Sequence, residues 1–159
     1  MRAAVLTVST SRAASGGHDA SGERLEQFAR EIGGEIVARE IVPDDRPLIE
    51  ERLRHFSDVD ACALVLTTGG TGVAPNDLTP EATRAVIERE VPGIAEAMRD
   101  ASRPHTRHWL LSRGIAGIRG ATLIVNFPGN PRSIEQTASA IADCLPHALE
   151  LIAGLPSEH

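Results

Sequence analysis

The sequence predicts one α/β domain in three layers (α/β/α): a mainly parallel sheet with a mixed edge and helices on both faces. Strand-like and helix-like patterns alternate along the chain, as crossover connections between parallel strands require. Two runs, residues 61–67 (ACALVLT) and 121–127 (ATLIVNF), are apolar at nearly every position, which suits central strands covered on both sides. The 159 residues, 42% of them hydrophobic, suffice for one continuous core, so a single domain spanning 1–159 is expected.

Residues 3–8 read as a short buried strand that empties into a polar loop, residues 9–21, rich in Ser, Gly and Ala. Ser21 is placed to cap the helix that follows. There Leu25, Phe28, Ala29 and Ile32 recur on one helical face, and Gly33-Gly34 end it. Residues 35–42 alternate polar and apolar like a half-exposed strand, broken by Pro43-Asp44-Asp45. Pro47 opens a helix with Ile49, Leu53 and Phe56 facing inward.

The strand at 61–67 runs into Thr68-Gly69-Gly70-Thr71-Gly72. Thr79 then reads as the cap of a helix with Pro80 at its first position and Glu81 in its first turn, where a carboxylate suits the helix dipole. Pro92 begins another helix. The strand at 121–127 leads into Pro128-Gly129-Asn130-Pro131 and one long helix bent at Pro146. Its core stripe is Ile134, Ala138, Ile141, Leu145, Leu149 and Ile152.

Composition excludes several functional classes. A formal charge of -6 argues against a nucleic-acid partner, which needs clustered cations. No apolar stretch approaches the roughly 20 residues that cross a bilayer, so a soluble protein with no membrane partner is expected. The N-terminus goes directly into a strand pattern, and Cys62 and Cys144 lack CxxC spacing, which together predict a reduced, cytoplasmic protein.

Three loops, 9–21, 68–77 and 128–130, follow strand C-termini, where open α/β sheets bind ligands. The glycines of the second loop leave backbone amides open to an anionic ligand, although a turn serving only chain reversal reads the same way on this stretch alone. The GK[ST] ending of a Walker A loop is missing. Asp77 just beyond the loop would repel phosphate unless a cation such as Mg²⁺ lies between them, and Asp44, also at a strand end, is a candidate second oxygen ligand. For both, an Asx-turn or a helix cap is the alternative. His105 and His108 lack a third ligand and make an incomplete zinc site.

Thr68-Gly69-Gly70-Thr71-Gly72 followed by Asp77-Leu78-Thr79-Pro80-Glu81-Ala82-Thr83 resembles the signature of the MogA/MoaB-like molybdenum cofactor biosynthesis family. The likeness runs along nearly the whole chain. Asp19-Ala20-Ser21-Gly22 and Pro43-Asp44 fit its N-terminal motifs, Leu111-Ser112-Arg113 and Gly117-Ile118-Arg119-Gly120 its middle motif, and Pro128-Gly129-Asn130-Pro131 its second ligand loop. The resemblance implies a molybdopterin-binding fold and transfer of AMP from Mg-ATP to the terminal phosphate of molybdopterin, with release of pyrophosphate. It also implies a homotrimer or a hexamer of paired trimers.

Carried over by position, Asp77 and Asp44 would be the essential acidic pair holding Mg²⁺ on the nucleotide, ATP being the co-substrate. Gly69, Gly70, Thr71 and Gly72 would line the reacting phosphates, with Thr68 and Glu81 among the substrate- or nucleotide-binding residues. Ser112 and Arg113, with Pro128, Gly129 and Asn130, would help hold the pterin and its phosphate; which loop sees pterin and which adenosine stays open. Trp109 reads as burial in the core or at a subunit interface rather than as a pterin platform.

The chain departs from the family at one place. Ser9 is followed by Thr10 where many members have Ser-Asp. That departure motivates an alternative, a catalytically weak pterin-binding or scaffold protein of the same family. A third reading, an unrelated mononucleotide-binding protein, leaves the 128–131 loop and Thr79-Pro80-Glu81 without a role.

Overall fold

The two apolar runs form adjacent parallel strands, β3 (Leu64–Thr68) and β6 (Thr122–Phe127), in the middle of one sheet. The structure is a computed structural model that describes residues 1–156. β1 (Arg2–Val8) pairs in parallel with both β3 and β2 (Glu35–Val42). At the other edge β5 (Ala116–Arg119) runs antiparallel to β6, and the two-residue β4 (Arg89–Glu90) runs antiparallel to β5. The order is β2-β1-β3-β6-β5-β4, so the expected mixed edge lies on the β5-β4 side.

Side chains of the central strands alternate between two cores because a strand repeats every second residue. Leu64 and Leu66 of β3, with Leu123, Val125 and Phe127 of β6, enter the larger cluster. There they meet α2 (Ala20–Glu31), α5 (Pro92–Ser102), α6 (Pro131–Ile141) and α7 (Leu145–Ile152). Val65 and Ile124 point the other way, to Ile49 and Leu53 of α3 (Arg46–Arg54) and to Ala82 and Val86 of α4 (Thr79–Val86). A π-helical turn, His55–Val59, continues α3 and carries Phe56 into the same core. Cys62 is buried beside it, and desolvation pushes its thiol up to about 11.

Several local expectations are corrected. The cap of α2 is Asp19, whose side chain accepts from Gly22 N; Ser21 lies within the helix, fully buried. A short helix, α1 (Thr10–Ser15), occupies part of the first loop, with Ser9 as its cap. The long C-terminal helix is two helices, α6 and α7. Pro146 sits in the first turn of α7, where its missing N–H breaks no helical hydrogen bond. Among the described residues no helix is long and apolar enough to cross a membrane.

Candidate functional site

The four parallel strands deliver Ser9, Pro43, Gly69 and Pro128 to the same side of the sheet. β1 lies between β2 and β3, which chain crossovers reach in opposite directions, and such a switch point leaves a crevice beyond the strand ends.

The glycine loop fills that crevice. Gly69 and Gly70 have φ of +92° and +66°, in the left-handed region, and there is no space for side chains. A Cβ at Gly69 would stand 2.3 Å from Val8 O, and one at Gly70 2.4 Å from Thr79 Oγ1. The carbonyls of 69–72 are all engaged. Gly69 O accepts from Thr79 Oγ1 at 2.9 Å, Gly70 O from Thr79 N at 3.1 Å, Thr71 O from Arg113 N at 2.8 Å and Gly72 O from Arg113 Nε at 2.6 Å. The amides of Gly70, Thr71 and Gly72 have no acceptor among the described residues. A loop with its oxygens held and its N–H groups free is polarised to receive an anion.

The sequence places Thr79 as the cap of α4. Leu78 is the cap residue instead, without a side-chain hydrogen bond, and the buried Thr79 hydroxyl turns back to the glycine loop. The loop's need for a donor outweighs the helix's need for a cap.

Two carboxylates flank the loop. Asp44 Oδ2 accepts from Thr10 N at 3.1 Å and from Thr10 Oγ1 at 2.7 Å, and that hydroxyl accepts in turn from Asp44 N at 3.0 Å. Asp44 Oδ1 has no hydrogen bond among the described residues and stands 3.4 Å from the Cβ position of Gly70. Asp77 Oδ2 accepts from Ala74 N at 2.9 Å and lies 2.7 Å from the Cβ position of Gly72. Among the described residues each carboxylate thus keeps one oxygen without a hydrogen bond. Among the described residues no cluster of three or more metal-ligating side chains exists. Carboxylate oxygens are the ligand type a hard cation such as Mg²⁺ takes, and one or two of them are the number it usually draws from protein.

Arg113 and Glu81 belong to the framework of this loop. The guanidinium donates through Nε to Gly72 O, through Nη2 to Asp77 O at 2.7 Å, and through Nη1 and Nη2 to the Glu81 carboxylate. The Arg113 hydrogen bond holds the Glu81 carboxyl below its ordinary value of 4.5. Thr68 is also turned into the framework, its Oγ1 donating to Pro128 O at 2.8 Å. Asn130 caps α6 by accepting from Arg132 N at 3.0 Å.

Gly69, Gly70, Thr71, Gly72, Asp77, Ser112, Pro128 and Gly129 line an open groove of about 360 Å³. Asp44 stands beside it at Gly70. A second, more enclosed cavity of about 200 Å³ shares His108, Ser112 and Pro128 with the groove and is walled by Met98, Trp109, Asn126 and Thr137. Trp109, from a 3₁₀ turn at Arg107–Leu111, is half-buried there, with the Arg103 guanidinium 5.7 Å over its ring.

Asn126 is a site-supporting residue that the motif reading does not single out. It is buried, donates to Thr67 Oγ1 at 3.0 Å and Thr83 Oγ1 at 2.9 Å, and accepts from Ile115 N at 3.2 Å. The signal for it is a lone amide side chain inside a largely apolar strand.

Fold and site together define an α/β protein with an anion-polarised crevice formed by loops beyond the strand C-termini. Residues 4–147 match the family described as a probable molybdopterin binding domain, and the chain belongs to that family. A molybdopterin adenylyltransferase of Helicobacter pylori (strain J99) is 46% identical over 115 residues, 72% of this chain and 65% of that one. The Drosophila melanogaster molybdenum cofactor synthesis protein cinnamon is 40% identical over 149 residues, 93% of this chain and 25% of that one. The chain therefore spans a quarter to about two thirds of these relatives' length. The crystal structure of the molybdopterin biosynthesis enzyme MoaB from Thermus thermophilus superposes with a TM-score of 0.90 at 43% identity, covering 99% of both chains.

Proposed function

We propose that the chain is a molybdopterin adenylyltransferase of molybdenum cofactor biosynthesis. It joins the AMP of Mg-ATP to the terminal phosphate of molybdopterin and releases pyrophosphate. The observation that carries this reading is the glycine loop with its carbonyls engaged and its amides free, flanked by Asp44 and Asp77.

In this reaction an oxygen of the pterin's terminal phosphate attacks the α-phosphorus of ATP. The bond from that phosphorus to the bridging α–β oxygen breaks, and pyrophosphate leaves with the electron pair. The attacking phosphate is ionised near neutral pH, so the site must align two anions and offset their repulsion, and no general base is called for. The amides of 70–72 supply fixed donors to the phosphates. Asp44 and Asp77 would hold Mg²⁺, which neutralises charge on the nucleotide phosphates when bound. The enclosed cavity, with Met98 and Trp109 on its walls, suits a flat heterocycle, and the open groove beside it suits the phosphates.

The family resemblance also supports a cytoplasmic homotrimer, for which the exposed Leu110 and Leu111 offer apolar contact surface. The test of the reaction is pyrophosphate release from Mg-ATP. It should appear only when molybdopterin is added, and its absence with both substrates present overturns the assignment. One observation favours a second reading, a binding or scaffold protein with weakened turnover. Thr10 stands where many family members carry an acid, and it engages one oxygen of Asp44. Tight molybdopterin binding without an adenylylated product would select that reading.

A further inference from the structure

The segment Asp19-Ala20-Ser21-Gly22 lines neither cavity, yet its geometry is closely constrained. Asp19 is 3% exposed; its Oδ2 accepts from Thr7 Oγ1 at 2.7 Å and its Oδ1 from Gly22 N at 3.0 Å, which fixes the first turn of α2 to β1. A Cβ at Gly22 would lie 2.1 Å from Asp19 Oδ2 and 2.8 Å from Thr7 Oγ1, so only glycine permits this approach. That docking sets Ser21 against the loop after β6, where its Oγ donates to Gly129 O at 2.6 Å. From the other side Thr68 Oγ1 donates to Pro128 O at 2.8 Å.

These two hydroxyls therefore anchor consecutive carbonyls. Among the described residues every peptide is trans, and in a trans peptide the C=O and N–H point opposite ways. Anchoring Pro128 O and Gly129 O turns the N–H groups of Gly129 and Asn130 away from the anchors, and neither has an acceptor among the described residues. Gly129 lines the groove, its Cβ position 3.5 Å from Gly69 Cα, so the two ligand loops touch at these glycines. A glycine flanked by untethered peptides would rotate at little cost, since no Cβ restricts it.

We propose that Ser21 and Thr68 are positioning residues: two hydroxyl tethers that lock the 128–129 and 129–130 peptide planes so that their N–H groups stay available to a phosphate-type ligand. The identity of that ligand rests on the adenylyltransferase reading; the tethering does not. Ser21 lines neither cavity and acts through the backbone of another element, which gives the Asp19–Gly22 motif a task outside the pocket it supports.

The test uses the full chain with Ser21→Ala, Thr68→Val, which replaces the hydroxyl by a methyl group, and Thr68→Ser, which keeps the donor. Amide ¹H–¹⁵N resonances of Gly129 and Asn130 are followed while inorganic pyrophosphate is titrated, with turnover of Mg-ATP and molybdopterin measured in parallel. Ser21→Ala and Thr68→Val should each shift both resonances and weaken pyrophosphate binding by about five- to tenfold, the worth of one net hydrogen bond. Thr68→Ser should restore both readouts to wild-type values. Loop resonances that do not move in either hydroxyl-deleted variant overturn the proposal, as do shifted resonances with unchanged affinity. So does a wild-type chain whose Gly129 and Asn130 amides ignore pyrophosphate. A wild-type chain that binds pyrophosphate through these amides but transfers no AMP sinks the adenylyltransferase reading and leaves the tethers standing.

Discussion

Gly70→Ala and Gly120→Ala make a similar demand on the backbone and differ in what the new methyl group meets. The two glycines have φ of +66° and +53°, where an alanine costs about 1–2 kcal/mol, offset by roughly 0.4–1 kcal/mol from the stiffer unfolded chain. At Gly120, in the turn between β5 and β6, nothing lies within 4 Å of a Cβ, so a net loss near 1 kcal/mol is expected. At Gly70 the methyl would stand 2.4 Å from Thr79 Oγ1 and 3.4 Å from Asp44 Oδ1. Thr79 is fully buried and its hydroxyl holds Gly69 O, so moving it leaves buried polar groups unpaired at a further cost of about 1–3 kcal/mol. The totals are near 1 kcal/mol at Gly120 and about 2–4 kcal/mol at Gly70. For a domain of this size these translate into melting-point losses of about 2–4 °C and about 5–15 °C. Scanning calorimetry measures both, and a Mg-ATP titration should show weakened binding in Gly70→Ala alone. Equal thermal losses, or native nucleotide affinity in Gly70→Ala, would refute the claim that this glycine is required by crowding at the ligand loop.

Asp77→Asn keeps an acceptor for Ala74 N and removes only charge; turnover should fall by about 100-fold or more while the melting point holds, and unchanged Mg²⁺-dependent turnover removes the role given to Asp77. Glu81, its carboxyl lowered from 4.5 by the Arg113 hydrogen bond, contributes stability that is present above its unfolded value and lost as pH falls through the lower folded value. Thermal scans from pH 7 downward should therefore show the gap between wild type and Glu81→Gln narrowing below about pH 4.5, and a gap independent of pH would mean the charge on Glu81 does not stabilise the loop. Asn126→Leu strips the acceptor from the buried Ile115 N–H and the donor from Thr67 and Thr83, a loss of about 2–4 kcal/mol. A urea midpoint that does not move would show that the network is dispensable.

The central strands are legible because each of them is buried on two faces, and burial writes itself into sequence as an unbroken apolar run. α3 and the π-helical turn that continues it show through Ile49, Leu53 and Phe56, all fully buried. β4 leaves no such trace: Arg89 and Glu90 are exposed, and their pairing with Ile118 and Gly117 is set by the partner strand. Ser21 and Thr79 mislead for a shared reason. Both residue types favour helix starts, but here tertiary acceptors, Gly129 O and Gly69 O, claim their hydroxyls. At the candidate site, Gly69–Gly72, Asp77 and Gly129, which motif spacing singles out, line one groove, whereas the inward turn of Arg113 onto Glu81 depends on contacts that no local pattern encodes.

Arg113 reaches Gly72, Asp77 and Glu81 across 41, 36 and 32 residues of chain. A nascent or refolding chain can therefore form β3 and α4, with the glycine loop already between them, before the arginine that shapes this loop has docked. Contacts this distant in sequence form only after a large loop has closed, and are late by nature. Competence to hold an anion should thus trail the formation of β3 and α4. A chain whose Arg113 has not yet docked presents this loop unshaped, so anion affinity should report whether that particular closure has occurred.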